Sequence, residues 1–234
     1  MFRTLLQMSE ATLFEYVTNE LKLKYTNVKV NNPYYVAAIG NIPIVLVAHL
    51  DTVYNDENRP YALICHDKQQ QIWWSPQGLG ADDRAGVYMI LSIIQNTKLR
   101  PHILFTTGEE DYGVGAFEVV KEKIFNNISY VIELDRQGAC ESVYYNCGNK
   151  EFENYINSFG FDTKLGTFTD ISILCPIWGA AGVNLSVGYF NEHSYAEYFY
   201  EKFWANTYKK VIKMLKDTEN YNKHWKYIDK RRYE

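Results

Sequence analysis

Residues suited to metal chemistry follow several apolar runs of this sequence. In chain order they are His49, Asp51, Asp82, Asp83, Glu109, Glu110, Asp135 and His193. Imidazole nitrogens mixed with carboxylate oxygens suit zinc, with cobalt or manganese in its place. A carboxylate shared by two ions would hold them roughly 3.5 Å apart, the spacing of two-metal hydrolases. These side chains therefore predict a centre for metal-assisted hydrolysis if the fold brings them together.

The first two segments each have a chemical and a purely structural interpretation. His49 and Asp51 are two residues apart, so in an extended chain they face the same side. Asp51 would then hold the ring nitrogen of His49 that does not face a metal; the alternative is a histidine that simply ends a strand. Asp82 and Asp83 lie between glycines and an apolar run, where they suit a bridging ligand and an acid that supports the ligands from behind, or else a helix N-cap. The pair by itself favours the cap.

The later segments are equally ambiguous when each is considered alone. Glu109 and Glu110 follow a strand-like run, so one suits a metal ligand and its neighbour a proton shuttle; the alternative is a solvated loop. Asp135 ends a buried-looking strand and would otherwise be a turn residue. His193 precedes Ser194-Tyr195-Ala196-Glu197, a capping box that predicts a helix start and leaves the histidine just outside it. The metal interpretation gains support because all these residues come at or just beyond element ends.

Strand-like and helical runs alternate, which predicts an α/β fold with three layers, α/β/α, and a mixed, largely parallel central sheet. Two strands, at 34–39 and 44–48, are predicted to form a hairpin near Gly40-Asn41. The segments 62–65 and 71–74 are predicted to form a second hairpin, and the remaining predicted strands are 103–107, 130–134 and 183–187. The predicted helices are 10–24, a run ending near 96, 114–123, 151–159, a turn at 170–174 stopped by Pro176, and 194–215. Ligands of such sheets bind beyond the carboxyl ends of the strands, where the candidate residues lie.

Composition narrows the classes of protein and partner. A chain of 234 residues, 47% of them hydrophobic, suits one globular domain, residues 1–234, with a basic tail from about 216. The net charge of -4 argues against a nucleic-acid partner. No apolar run is long enough for a membrane span, and polar residues interrupt the N-terminus, which does not predict a signal peptide. The four cysteines lack zinc-ribbon spacing, so we expect them to stay reduced in a cytoplasmic protein.

Five segments, in this order, resemble the co-catalytic di-zinc exopeptidase superfamily, which includes zinc aminopeptidases, related carboxypeptidases and aminoacyl-hydrolysing amidases. The segments are 47–52 (VAHLDT), 80–86 (GADDRAG), 107–110 (TGEE), 133–135 (ELD) and 191–194 (NEHS). The resemblance implies that one zinc ion is held by His49, Asp82 and Asp135, and a second by Asp82, Glu110 and His193, with Asp82 bridging. It also implies that Glu109 is the general base and that Asp51 orients His49. The peptide bond between Asp82 and Asp83 is expected to be cis.

The sequence departs from many members of that superfamily in one respect. Only 57 residues separate Asp135 from His193, too few for a lid or dimerisation domain in addition to the required strands. The chain therefore most resembles the single-domain aminopeptidases. We expect a metal-dependent hydrolase acting on a peptide or aminoacyl substrate. The alternatives are a carboxypeptidase, an N-acyl amino acid amidohydrolase or, in a different class, a one-zinc cyclase or non-catalytic metal-binding scaffold.

Substrate contacts and assembly are less constrained by the sequence. By position alone, Asp111, Asp170 and Glu192 are candidates to hold a free amine. Arg84 or Arg136 would instead suit a free carboxylate. The absence of a lid favours cleavage at the amino terminus, and no oligomeric state is predicted.

Overall fold

The computed structural model of the chain describes residues 1–147 and 149–229. Its strands are β1 (Val28–Asn31), β2 (Tyr35–Ala38), β3 (Ile42–His49), β4 (Cys65–Asp67), β5 (Ile72–Trp74), β6 (Pro101–Thr106), β7 (Tyr130–Arg136), β8 (Glu141–Val143), β9 (Asp162–Lys164), β10 (Gly182–Ser186), β11 (Tyr189–Phe190) and β12 (Tyr198–Tyr200). Its helices are α1 (Phe2–Leu6), α2 (Glu10–Lys24), α3 (Ala81–Asn96), α4 (Val114–Val119), α5 (Lys150–Asn157), α6 (Ile171–Trp178), α7 (Glu201–Lys216) and α8 (Thr218–Tyr221), with a 3-10 helix at Asp56–Tyr61.

An eight-stranded sheet organises the molecule, in the order β1-β2-β6-β3-β7-β10-β8-β9. The inner strands β6, β3, β7 and β10 are parallel, while β2 is antiparallel to β6 and β8 is antiparallel to β10. Helices α2, α3, α5 and α7 bury apolar residues on one face, and α4 and α6 do so on the other. The predicted three-layer α/β fold with a largely parallel sheet is therefore confirmed.

Strand β3 is buried on both faces of the main sheet, as its uninterrupted apolar sequence requires. Ile44, Leu46 and Ala48 point into the core beneath α3, and Val45 and Val47 point into the opposite core. Successive side chains of a strand alternate between faces, so an uninterrupted apolar run is stable only where helices cover both faces. This places β3, and the histidine at its end, in the interior.

The predicted hairpin between β2 and β3 is wrong, because β6 lies between these two strands. The linking residues bond to β6 and the residue before it instead of to each other. The backbone N–H of Asn41 donates to the Arg100 carbonyl over 2.9 Å, and the N–H of Gly40 donates to His102 Nδ1 over 3.1 Å. Glycine is needed here because a Cβ at position 40 would lie 2.0 Å from the Arg100 oxygen. The hairpin predicted further along the chain is confirmed by the antiparallel pair β4 and β5.

Three predicted helices have different limits in the structure. The helix predicted from 194 begins at Glu201, because residues 198–200 form strand β12 against β5. Helix α6 continues past Pro176, which removes only one backbone hydrogen bond, and ends at Gly179 with φ 66°. Helix α4 ends at Val119, before the predicted position 123. The short strands β1, β8, β9 and β11 were not predicted, since segments of two to four residues carry little periodicity.

The first part of the predicted basic tail packs against the body of the protein. Trp225 stacks on Tyr155 of α5 with 5.5 Å between ring centroids, and Lys226 pairs with Ala180 in a β-bridge. The last residues of the tail, 230–234, lie outside the described residues. None of the helices in the described part of the chain has the length and apolar character needed to cross a bilayer.

The register of the inner strands brings the candidate residues to one edge of the sheet. His49 at the end of β3 lies opposite Thr106 at the end of β6. Val47 lies opposite Glu133 of β7, so Asp135 follows at the same level as His49. All these strands are parallel, so their carboxyl ends meet at this edge.

Candidate metal centre

His49 is buried at the end of β3 with both ring nitrogens facing carboxylates. Its Nε2 lies 3.1 Å from Asp82 Oδ1 and 3.3 Å from Asp135 Oδ1. Its Nδ1 lies 3.3 Å from Asp51 Oδ1, which is within ion-pair range, although the angle falls outside hydrogen-bond geometry. Asp51 thus lies on the side of the ring away from Asp82, as predicted for a residue that orients the imidazole.

Asp82 lies between the two histidines. Its Oδ1 faces His49, and its Oδ2 lies 3.1 Å from His193 Nε2. The same nitrogen of His193 lies 3.1 Å from Glu110 Oε1. The structure therefore brings all five predicted metal ligands into two groups that share Asp82, one with Asp135 and the other with Glu110.

The two neighbouring aspartates have separate roles, and the bond between them is cis, as expected. Asp83 accepts hydrogen bonds from the backbone N–H groups of Gly86, over 2.9 Å, and His49, over 3.2 Å. Asp83 also lies within reach of a metal shared with His49 and Asp135. The backbone of Asp82 and Asp83 is not helical, so the regular part of α3 begins after Asp83. Asp83 caps that part by accepting from Gly86, three residues on, and its other oxygen is used by His49. The cap interpretation is therefore correct for Asp83, whereas Asp82 faces the histidines.

Asp51 also holds the loop that carries the two glutamates. Its carboxylate accepts from the backbone N–H of Glu110 over 3.0 Å and from that of Glu109 over 3.3 Å. The loop leaves β6 through Gly108, which has φ 68°, a conformation that glycine adopts at little cost. One carboxylate thereby fixes both His49 and the Glu109-Glu110 backbone.

The residues fit a zinc centre in both spacing and charge. Zinc lies 2.0–2.2 Å from nitrogen and oxygen ligands, so donors of a tetrahedral site are about 3.4 Å apart. The observed separations of 3.1–3.3 Å agree with this value. Burial and neighbouring carboxylates raise the pKa of Glu109 to about 9, and burial, partly offset by His49, raises that of Asp135 to about 6. A bound cation would favour the charged forms of these acids.

The two halves of the centre differ in accessibility. The side chain of His49 is 2% exposed, whereas that of His193 is 51% exposed. His193 has φ 60° in a turn that projects its ring over Asp82. The side of the centre that carries His193 is therefore the more open to solvent.

A comparison with protein families matches residues 35–164, more than half of the chain, to peptidase family M28. The chain belongs to peptidase family M28. It is accordingly a metallopeptidase that hydrolyses peptide bonds, and the superfamily inferred from its motifs is confirmed. No curated protein matches the chain significantly.

Solved structures share the fold of this M28 peptidase at low sequence identity. A tripeptidase from Staphylococcus aureus has a TM-score of 0.74 and 14% identity, covering 92% of this chain and 96% of that one. A TET aminopeptidase from a marine-sediment Thaumarchaeota archaeon has a TM-score of 0.68 and 11% identity, covering 95% and 98%. A Zn-dependent exopeptidase from Parabacteroides distasonis has a TM-score of 0.66 and 12% identity, covering 92% and 94%. At these identities the similarity shows the fold.

Glu197 is a functional candidate that the sequence assigned to a helix cap. The predicted capping box does not form, because Ser194 instead bonds within its own turn, accepting from the N–H of Ala196 over 3.2 Å. Glu197 is buried and accepts from the backbone N–H groups of Gly80, over 2.7 Å, and Asp82, over 3.0 Å. It therefore holds the backbone of the residue that faces both histidines. The feature of the sequence that could have indicated this role is the acidic residue four positions after His193.

The structure separates the residues predicted to contact substrate. Arg84 is fully buried and donates to the carbonyls of Leu50 and Asp51, so it fixes the chain beside the centre and does not face substrate. Asp170 is fully buried against the Thr106 hydroxyl. Arg136 and Glu192 both line the cleft above the centre. The predicted roles of Arg84 and Asp170 in substrate binding are therefore wrong.

Proposed function

We propose that this M28 peptidase is an aminopeptidase that uses two metal ions to activate water. The observation that carries the proposal is the position of Asp82, which presents one oxygen to each histidine, over 3.1 Å in both cases. A carboxylate shared in this way suits a pair of ions. We assign one ion to His49, Asp82 and Asp135, and the other to Asp82, Glu110 and His193, with zinc preferred over cobalt or manganese.

The catalytic step needs a group that moves a proton between water and the leaving amine. When bound, the ions would supply a water of lowered pKa and positive charge beside the developing oxyanion. We assign the proton transfer to Glu109, which lines the cleft beside Asp82 and Asp135. Its carboxylate accepts the proton of the attacking water and then donates it to the amine nitrogen as the peptide bond breaks. The raised pKa of Glu109 in the metal-free chain, about 9, would fall beside the bound cations.

The arrangement of the chain between Asp135 and His193 supports cleavage at the amino terminus. The described residues of this segment form β8, α5, β9, α6, β10 and β11, which belong to the two sheets and to the layers on either side of the main sheet. None of these elements forms a separate lid over the cleft. We therefore propose a single catalytic domain over residues 1–234 and peptide or aminoacyl substrates with a free amino group. The cytoplasmic location remains a prediction from the sequence.

Replacing the proposed general base tests the mechanism. Glu109→Gln keeps the shape of the side chain but removes its ability to accept a proton. We expect turnover of an aminoacyl-amide substrate to fall by about 10²–10⁴-fold, while the chain still binds two zinc ions. Steady-state kinetics and elemental analysis of the dialysed protein measure these two quantities. Turnover within tenfold of the unmodified protein would remove Glu109 from the role.

Substrate comparison tests the terminal preference, and metal counting tests the rival class. We expect hydrolysis of dipeptides with a free amine and none of the same dipeptides after N-acetylation. The reverse preference would favour the carboxypeptidase or amidohydrolase alternative. Elemental analysis is expected to give two ions per chain, whereas a single ion would favour the one-zinc cyclase.

A further inference from the structure

We propose that Glu192 binds the free amino group of the substrate and thereby selects peptides with an unblocked amino terminus. This inference rests on the proposed function, since it assigns a substrate contact within the same cleft. It is carried by the position of the side chain, by its unpaired charge and by the geometry of an amino-terminal residue.

The cleft above the metal centre is small and has few charged groups on its walls. Its cavity has a volume of about 170 Å³. Four of the residues that line it, Asp82, Glu109, Asp135 and His193, are already assigned to the centre. The wall includes Arg136 and Glu192, together with the uncharged residues Gln137, Tyr145, Thr167, Phe168 and Tyr189. Arg136 and Glu192 are therefore the two lining residues, outside the centre itself, whose charge suits pairing with a charged substrate terminus.

Arg136 is already paired with a carboxylate, whereas the recorded side-chain partner of Glu192 is a neutral amide. Arg136 Nε donates to Glu141 Oε2 over 3.2 Å. Glu192 accepts a hydrogen bond at Oε1 from the Gln137 amide, which is neutral. Among the described residues, no cation lies within ion-pair distance of Glu192. Gln137 thus orients the carboxylate without neutralising it, which leaves its second oxygen for a cationic ligand.

The other acids predicted to hold an amine are excluded by position. Asp111 is exposed and does not line this cavity. Asp170 is buried behind Thr106, which donates its hydroxyl hydrogen to it. Glu192 is therefore the candidate that combines an available charge with access to substrate.

The distance between an amino group and its own carbonyl explains why the partner must adjoin the metal centre. In one residue the nitrogen and carbonyl carbon are joined through Cα by bonds of about 1.46 and 1.52 Å, so they lie roughly 2.5 Å apart. A carbonyl positioned for attack above Asp82 places the terminal ammonium within the same small cavity. Glu192 lines the same cavity as Asp82 and His193, both proposed ligands, and so meets this requirement. Its charge would also disfavour a substrate carboxylate at this position.

The test compares Glu192→Gln with Glu57→Gln, an exposed glutamate on the 3-10 helix. The ligands are the phosphonic acid analogue of leucine, in which a tetrahedral phosphorus replaces the carbonyl carbon next to the carbon that bears the amine, and its N-acetyl form. Calorimetry on the zinc-loaded proteins measures binding without turnover. We expect Glu192→Gln to weaken binding of the free-amine ligand about tenfold or more, as for loss of a charge-assisted hydrogen bond, and to leave the N-acetyl form and the zinc content unchanged. Glu57→Gln should match the unmodified protein.

The outcomes separate this inference from the proposed function. Free-amine affinity within twofold of the unmodified protein in Glu192→Gln would overturn the role of Glu192, even if the enzyme is an aminopeptidase. An equal loss of affinity for both ligands would also overturn it, since the effect would not depend on the amine. In a third outcome, Glu192→Gln loses affinity for the free-amine ligand alone, and the unmodified zinc-loaded protein hydrolyses no peptide. That result would support Glu192 as the amine site and refute the proposed reaction.

Discussion

Two neighbouring carboxylates in the centre have pKa values shifted in opposite directions. Burial tends to raise the pKa of Asp82, but hydrogen bonds with His193 and His49 hold it below the ordinary value. Asp135 contacts only one of these histidines, and burial together with the charge of Asp82 raises its pKa to about 6. Asp82 therefore keeps its negative charge to a lower pH than Asp135 does. This agrees with its proposed position as the carboxylate that bridges the ions.

Glu197 should control the position of Asp82 through the backbone. In Glu197→Gln the side-chain amide group would face one of the two N–H donors now bonded to the carboxylate. A buried donor left without an acceptor costs about 1–3 kcal/mol. We therefore expect weaker zinc binding and lower stability, measured by competition with a chromophoric chelator and by urea unfolding. Glu219→Gln, at an exposed acid on α8, serves as the control; equal zinc affinity in the two variants would contradict the role.

His102 should make the stability of the protein depend on pH. It is buried at the start of β6, and burial lowers its pKa from the ordinary 6.5 to about 4. Because the folded state disfavours the protonated ring, the free energy of unfolding is highest above pH 6.5 and decreases as the pH falls toward 4. At pH 5 the expected loss is about 2 kcal/mol.

The variant His102→Asn isolates this effect. The shorter side chain retains an oxygen that can accept the N–H of Gly40, and it does not titrate. Urea unfolding at pH 7.5 and pH 5 should show a smaller loss of stability in the variant than in the unmodified protein. Equal losses in the two proteins would show that His102 does not cause the dependence.

At the scale of elements, the close packing of α3 on β7 positions Asp82 and Asp83, the two acids at the start of the helix. A Cβ at Gly86 would lie 2.0 Å from the Leu134 carbonyl oxygen and 2.6 Å from the Asp83 carboxylate. Helix α3 therefore approaches the sheet with no side chain at this position. The approach brings Asp82, at the start of the helix, to the ends of β3 and β7.

Gly86→Ala should push α3 away from the sheet. Overpacking of a core costs about 1–3 kcal/mol, and here the displaced helix also carries Asp82. We expect lower stability by urea unfolding together with weaker zinc binding. Asn96→Ala, at an exposed position on the same helix, should change neither by more than about 0.5 kcal/mol. Unchanged zinc affinity in Gly86→Ala would show that the helix does not position the ligand.

Element boundaries were predicted well where periodicity was long and poorly where tertiary contacts competed with it. Helix α2 has the predicted bounds, Glu10–Lys24, because its buried residues Leu13, Val17 and Leu21 recur at helical spacing. The segment after His193 also resembled a helix start, but Phe199 packs against Phe2 with 4.3 Å between ring centroids. That contact, and the pairing of β12 with β5, outweigh the local capping signal.

At the scale of the whole molecule, the centre joins segments that are remote in sequence. The two histidines come from the end of β3 and from the turn after β11, and they are connected through Asp82 on α3. Bound metal would therefore stabilise the folded chain more than the unfolded one, in which this site does not exist.

Metal removal should lower the melting temperature. Zinc at 100 times its dissociation constant adds about 2.7 kcal/mol, which corresponds to roughly 5–10 °C for a chain of this size. Thermal unfolding followed by circular dichroism, with and without zinc after chelation, measures the shift. His193→Ala should reduce the shift, whereas His224→Ala, at an exposed position, should not. The same zinc-induced shift in both variants would exclude His193 as a ligand.

The sequence by itself determined the fold class, the order of the motifs and the residues that meet at the centre. This was predictable because side-chain chemistry and burial periodicity are local properties of a chain, and parallel strands place their ends at one edge. Only the tertiary structure decided that β6 separates β2 from β3, that Glu197 holds the backbone of Asp82 and that Glu192, not Asp170, lines the cleft. Those outcomes depend on which backbone donors and apolar side chains find partners far away in sequence, and a local pattern does not contain that information.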